Sequence, residues 1–478
     1  MLFNRKNLLL SALLFTGIVQ TGYASMANWQ PHARESWPWA AIDTSHATFP
    51  ADILFGFSLV EYQNSGAENE YLHEGNWAYW EKQGNIENGH KSGISSDFWH
   101  RYPEDIQNIV KIGGNACKFP IDWSAVEPQK GHINEDALKH YDDVVNAMIA
   151  AGVKPVLEFH HFVHPQWFEE AGAWSKEENI QDFVNFCELV FKRYSDRVDT
   201  WCTIVEANTI ALQGYILGSF PPGNVGDYQG AAEALKNMLK AHIAVCKRCK
   251  SLPNGDKAQM GLAQQHLPFQ AHHVWDKVVD LALNFNYLLN TVLLNFYETG
   301  KFSFYIPLLA DVEFEDKDIL TSMDYMGLNY YSDVLVRNFQ PSCSDDEIMT
   351  DMQYPIYAEG FYRAVETFAK FGKPIYITEF GISDARDDRR EIYIKRYLYA
   401  LYKAIQDFHA DIRGVFYWTL TDSFEWEKGP EQKFGLYEVD LKTQKRTLHK
   451  GAKCITQFFP HARDNFTAKQ QQSEGSYV

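Results

Sequence analysis

The chain is short of positive charge, of cysteine and of long apolar runs, and each shortage closes off a class of function. Its 44 Lys and Arg face 62 Asp and Glu, a formal net charge of −18 over 478 residues, which makes nucleic-acid phosphates a poor partner. The seven cysteines, Cys117, Cys187, Cys202, Cys246, Cys249, Cys343 and Cys454, are odd in number and thinly spread, so no disulfide framework is expected. Cys246 and Cys249 form a lone CxxC inside a helical pattern, with no second pair to complete a zinc site. Neither a metal nor a cofactor is expected. Gly and Pro, 30 and 18 residues, stand at ordinary levels and no period repeats, which excludes collagen-like chains and solenoid arrays. Beyond the first thirty residues no stretch is long and apolar enough for a transmembrane helix.

What the chain has in plenty is aromatic: 13 Trp, 26 Tyr and 32 Phe. Residues 1–24 read as a secretory signal. Arg5 and Lys6 precede an apolar run from Leu8 to Val19, and small residues follow at Gly22, Ala24, Ser25 and Ala27, with cleavage expected after Ala24 or as late as Ala27. A dozen apolar residues are too few to anchor the chain across a bilayer. Export to the periplasm or the medium is the expectation, and cleavage removes two positive charges, taking −18 to −20.

Short apolar runs at 53–59, 115–121, 154–159, 200–205, 259–262, 325–330, 374–378 and 414–419 alternate with amphipathic segments at 103–112, 135–151, 180–194, 228–249, 357–371 and 390–408. Eight strands alternating with helices fit an α/β fold, a single-domain (β/α)8 barrel over 50–460. The polar stretch 461–478 reads as a tail. A doubly wound open sheet is the competitor, but no glycine-rich phosphate turn follows the first strand. Barrels of this kind carry their chemistry at the C-terminal strand ends. There stand Glu158-Phe-His160-His161, Val205-Glu206, Asn329-Tyr330-Tyr331, Thr378-Glu379 and Trp418. Two glutamates facing one mouth, ringed by aromatic and hydrogen-bonding groups, suit a sugar: apolar sugar faces stack on rings, and hydroxyls need polar partners.

Six segments, in order, resemble the motifs of the family-1 glycoside hydrolases, the β-glucosidase type of barrel. The block Ser96-Asp-Phe-Trp-His-Arg-Tyr-Pro-Glu-Asp-Ile106 resembles D-x-Y-H-R-Y-x-E-D, and Lys118-Phe-Pro-Ile-Asp-Trp-Ser124 resembles R-F-S-I-S-W-S. Trp201-Cys-Thr-Ile-Val-Glu206, with Gly214-Tyr215 and Pro221-Pro222-Gly223 behind it, matches the acid/base region. Tyr376-Ile-Thr-Glu379-Phe-Gly381 resembles the T-E-N-G segment. Tyr417-Trp418-Thr-Leu-Thr-Asp-Ser-Phe-Glu425-Trp426, with Phe434-Gly-Leu436 and Asp440, resembles W-S-L-x-D-N-F-E-W…F-G-L…V-D. Gln63 stands where Q-I-E-G-A carries its glutamine.

The resemblance implies a retaining β-glycosidase, with Glu379 as nucleophile and Glu206 as acid/base. Gln63, His161, Asn329, Tyr331, Trp418, Glu425 and Trp426 would bind substrate, a β-glycoside or oligosaccharide, and Lys118 would support the nucleophile. Glu425 implies an unphosphorylated sugar, since a carboxylate repels a phosphate dianion. Aromatic residues Trp418, Trp426 and Tyr331, with Phe162, Trp167 and Phe380, are expected to line the cleft. Departures cluster at the site: Val205 stands where the family has Asn, Ala207 where it has Pro, Lys118 for Arg, Phe162 for Trp and Phe380 for Asn. They leave a second reading open, an exported carbohydrate-binding protein with attenuated or lost hydrolase activity.

Overall fold

The computed structural model describes residues 34–459, apart from 51, 70, 272–285, 338–339, 343 and 345–346; the signal-like segment, the polar tail and Cys343 lie outside the described residues. Eight parallel strands close a barrel: β1 (Leu54–Ser58), β2 (Ala116–Pro120), β3 (Lys154–Glu158), β4 (Thr200–Val205), β5 (Gln259–Gln265), β6 (Tyr325–Asn329), β7 (Ile375–Phe380) and β8 (Ile412–Trp418). Each pairs with the next in sequence, and β8 returns to β1, with Phe57 opposite Tyr417 on one side and Cys117 on the other. Helices α1 (Phe98–Lys111), α2 (Glu135–Ala150), α3 (Ile180–Tyr194), α4 (Tyr228–Lys250), α5 (Val292–Thr299), α6 (Ala358–Ala369) and α7 (Arg390–Phe408) lie on the crossovers.

The strands form where expected because they are apolar toward the helices and enclosed on the inside, so β2, β4, β6 and β7 are buried throughout. Helix α2 shows the complementary logic. Asn134 caps it by accepting from the Asp136 and Ala137 N–H groups, worth ~1 kcal/mol. Leu138, Tyr141, Val145 and Met148 then recur at helical spacing and are fully buried, each stabilising by roughly 1.5–3 kcal/mol.

Alternation along the strands divides the barrel interior in two. Toward the N-terminal end, Ala116, Val156, Tyr325, Tyr376 and Phe416 form an apolar plug. Two residues further along the same faces stand Lys118, Glu158, Gly327, Thr378 and Trp418, with Ser58 and Asn329 at the same end. The polar ones, Ser58, Lys118, Glu158, Asn329 and Thr378, are all buried. The interior therefore becomes polar and charged as it approaches the mouth.

Three features differ from the sequence expectation. Helix α1 starts at Phe98, five residues before Pro103; a proline favours a first turn, but this one sits inside the helix. Helix α5 was not anticipated, nor the antiparallel hairpin Lys301–Ile306 with Ala310–Glu315 behind it. That hairpin buries Phe302, Phe304, Ile306, Ala310 and Val312, and Phe302 and Phe314 close on Phe296 of α5. The six described cysteines are free and buried. Among the described residues no helix is long and apolar enough to cross a membrane.

Just beyond β1, Glu61 is buried with one oxygen accepting from Ser65 Oγ at 2.8 Å and the other without a protein partner. Burial, helped by the charge of Asp122, pushes its carboxyl up to about 8. The folded chain thus holds a proton that the unfolded chain releases near its ordinary value of 4.5. Between those pH values the unfolded state binds fewer protons, so stability falls as pH rises, by about 1.4 kcal/mol per pH unit for one such group. Glu61→Gln should flatten the fall of the unfolding midpoint between pH 5 and 8; an unchanged slope in thermal scans would contradict the burial of a neutral Glu61.

Candidate active site

Two carboxyl groups at the barrel mouth have opposite surroundings. Glu206 follows β4 in a left-handed conformation, φ 51° and ψ 54°, a region that costs a non-glycine residue of order 1 kcal/mol. Its N–H donates to the Ala263 carbonyl at 2.8 Å, and its side chain is buried. Asn329 Nδ2 donates to Glu206 Oε1 at 2.8 Å. Burial first, and then the charge of Glu379, push the Glu206 carboxyl up to about 8; hydrogen bonds with Asn329 and Thr209 offset only part of this.

Glu379 sits where β7 slips register against both neighbours just after Ile377. The slip turns Glu379 into the mouth. Its Oε2 accepts from the Tyr331 hydroxyl at 2.8 Å, and its Oε1 faces Lys118 Nζ at 3.3 Å and His161 Nε2 at 3.8 Å. Asn329 ties the two acidic residues together, because its Oδ1 accepts at 2.6 Å from the hydroxyl of Thr378, the residue before Glu379. Gly381 completes this corner: a Cβ there would run into the Trp418 carbonyl.

Beneath Glu379 lies a third carboxylate that the sequence reading placed at the end of β3 without giving it a role. Glu158 is fully buried, with one oxygen against Lys118 Nζ and the other 3.0 Å from His161 Nδ1. Burial works against the Lys118 ammonium, but Glu158 and Glu379 outweigh it and push its pKa up. Burial likewise opposes the Glu158 charge, and Lys118 and His161 outweigh it, holding that carboxyl below the usual range. The signal for Glu158 was its parity, the same inward face as Val156 on a strand beside Lys118.

On the far side of the mouth, Gln63 Nε2 donates to Glu425 Oε2 at 3.1 Å, while the buried Gln63 Oε1 has no protein partner among the described residues. Burial, then the charge of Glu427, push the Glu425 carboxyl up to about 8, against hydrogen bonds with Gln63 and Trp418. Trp426 is buried among Trp77, Phe162 and Tyr62, with centroids at 4.7, 5.0 and 6.0 Å. The His161 ring lies 5.8 Å from Trp418 and 6.1 Å from Trp426.

Gln63, Lys118, His161, Glu206, Asn329, Tyr331, Glu379, Trp418, Glu425 and Trp426 therefore gather at one mouth through these contacts. Four expectations change in detail. Asn329 spends its amide on Glu206 and its carbonyl on Thr378, so it holds the acid in place. Phe380 is not in the cleft: the register slip at Glu379 sends it outward, against Phe361 of α6 and Tyr393 of α7. Trp167, in the short helix Gln166–Glu170 after β3, packs on the segment that follows β2, with its Nε1 on the Glu127 carbonyl at 2.9 Å and its ring on Trp123. Val205 packs inside the barrel wall with Cys202 and Ala263 and is fully buried. Among the described residues no group of three or more His, Cys, Asp or Glu is arranged to hold a metal ion.

Residues 45–462 match the profile described as glycosyl hydrolase family 1. Beta-glucosidase A of Acetivibrio thermocellus is 29% identical over 438 residues, covering 84% of this chain and 96% of that protein. The 6-phospho-beta-galactosidase of Clostridium acetobutylicum is also 29% identical, over 457 residues, covering 84% and 95%. The solved structure of beta-glucosidase from Thermotoga maritima in complex with castanospermine superposes with a TM-score of 0.78 at 25% identity, covering 87% of this chain and 99% of that one.

The asymmetry of the two carboxyls is directly measurable. With 13C-labelled glutamate, Glu206 should titrate near 8 in the free protein, and Glu379→Gln should lower that value by removing the neighbouring charge. A Glu206 signal that titrates near 4.5 in both would contradict the site as described.

Proposed function

The chain belongs to glycosyl hydrolase family 1 and is a glycoside hydrolase, and from that premise we propose that it is a retaining β-glycosidase acting on unphosphorylated β-glucosides or related β-glycosides. The observation that carries the proposal is the environment of the acidic pair. Glu206 keeps its proton at neutral pH, as a general acid must. Glu379, offered hydrogen bonds and charge by Tyr331 and Lys118, is placed as the nucleophile.

In the first step Glu379 Oε attacks the anomeric carbon as the glycosidic C–O bond breaks. Glu206 delivers its proton to the leaving oxygen, so the aglycone departs as an alcohol and the sugar is held as a glycosyl ester. In the second step water attacks that ester, and Glu206, now a carboxylate, takes the water's proton. Tyr331 and Lys118 hold Glu379 for in-line attack, and Asn329 keeps Glu206 against the leaving oxygen. Gln63 Oε1, a buried polar atom with no protein partner among the described residues, is available to a sugar hydroxyl, with Trp418 and Trp426 as stacking surfaces.

For the sugar class, identity does not separate the curated relatives, since the β-glucosidase and the 6-phospho-β-galactosidase are equally similar. The reading rests on Glu425 and on its surroundings, where Lys428 is already engaged with Glu87 and Glu427. Burial keeps Glu425 largely protonated at neutral pH, so it refuses phosphate more through lack of a cationic partner than through repulsion. The attenuated-hydrolase reading is favoured by one observation: Val205, the residue before Glu206, is buried against Cys202 and Ala263, and its side chain can neither donate nor accept a hydrogen bond. Export, resting on the signal-like residues 1–24, remains part of the proposal.

An aryl β-glycoside panel tests it. Glu379→Gly should fall to background. Glu206→Ala should lose about 10²–10⁴-fold on poor leaving groups and recover on activated ones with azide, giving a β-glycosyl azide. The wild-type kcat/KM should decline as pH rises through about 8, where Glu206 loses its proton. An α-azide product, or near-wild-type turnover by Glu379→Gly, would overturn the assignment. Sugar binding by calorimetry without any turnover would favour the attenuated reading.

A further inference from the structure

The Lys118 ammonium sits fully buried between two carboxylates and lies much closer to Glu158 than to Glu379. We propose that Glu158 is a positioning residue that acts as the permanent counter-ion of Lys118, so that Glu379 can lose its charge on forming the glycosyl ester without leaving a bare ammonium in the barrel. The inference rests on the double-displacement reading above.

Its logic is charge balance. In the resting site Glu158 and Glu379 carry two negative charges against one ammonium. Bond formation between Glu379 and the anomeric carbon converts that carboxylate into a neutral ester, while the proton of Glu206 leaves with the aglycone. Lys118 then has only Glu158. Were Glu158 neutral, the intermediate would strand a cation with no access to water, a strongly unfavourable arrangement. The same contact keeps Lys118 from pairing closely with Glu379, where a tight ion pair would tie up the attacking oxygen. Glu158 does a second thing through its other oxygen. By taking the Nδ1–H of His161 at 3.0 Å it turns the imidazole so that Nε2 faces Glu379 Oε1 at 3.8 Å.

Among the described residues the further titratable groups that face this cluster are His160, held neutral by burial, and Glu206, Tyr331, Glu425, Cys117, Cys202 and Tyr325. Burial holds each of them toward its neutral form. None can replace Glu158 as the partner of Lys118 at neutral pH.

The test compares wild type, Glu158→Gln, Lys118→Met and the double variant Lys118→Met/Glu158→Gln on an activated aryl β-glycoside across pH. Glu158→Gln should lower kcat/KM by about 10–100-fold and move the acidic limb of its pH profile down by at least half a unit, because Glu379 loses a neighbouring negative charge. The double variant should recover at least tenfold over Glu158→Gln, since it removes the stranded ammonium. An acidic limb that stays in place, with losses that multiply in the double variant, would overturn the proposal and leave Glu158 a packing residue. Should Glu158→Gln not fold, Lys118→Met alone must be at least tenfold worse than the double variant; equal activities would again overturn it. A 2-deoxy-2-fluoro glycoside keeps the two claims apart. If it fails to label Glu379 in the wild type, double displacement itself is wrong and this proposal falls with it.

Discussion

A lysine ammonium sealed from water at the centre of the barrel holds the site together, because a buried cation must be surrounded by negative charge. Lys118 draws Glu158 from β3 and Glu379 from β7 onto itself, and Glu158 in turn fixes His161. Glu379 is then completed by Tyr331, and Glu206 is held opposite by Asn329. Five of the eight strands are tied into one polar network by this arrangement. The apolar plug of Ala116, Val156, Tyr325, Tyr376 and Phe416 beneath it closes the other end of the interior. A hydrophobic floor and a charged upper half let the same closed barrel supply both stability and reactive groups.

The two acidic residues differ because the fold treats them differently. Glu206 meets burial and an amide donor, with a like charge nearby, and retains its proton. Glu379 meets a phenol and an ammonium. In the proposed mechanism no difference in side-chain chemistry is needed for one glutamate to give a proton and the other to give electrons. The strained backbone at Glu206 and the register slip before Glu379 are the local departures that aim both side chains at one point.

Much of this was legible in the sequence, and for physical reasons. All eight barrel strands were placed within a few residues, because enclosed strands must be apolar and short. Glu206, Glu379, Tyr331 and the Gln63–Glu425 pair stood in motifs dense enough to locate them. What sequence could not express was side-chain direction where the strand period breaks. Phe380 follows a register slip, so reading onward from Glu379 placed it in the cleft, while it packs under α6 and α7. Glu158 was visible as a residue yet not as a partner, since its role depends on a lysine 40 residues away in sequence and adjacent only in the closed barrel. Helix α5 and the hairpin after it hid in a run of aromatic residues whose alternation, Phe302, Phe304, Ile306, follows the strand period but not the barrel's βα rhythm. The proton on Glu425 is likewise set by burial and by Glu427, which no motif records.

The central claim is that Glu379 and Glu206 work in succession on one anomeric carbon, so that two inversions give net retention. The most direct measurement is 1H NMR of the first sugar released from an aryl β-glycoside by the wild-type protein, followed before mutarotation. The account predicts the β-anomer as the first product, with the α-anomer appearing only at the rate of spontaneous mutarotation. Initial release of the α-anomer would contradict it.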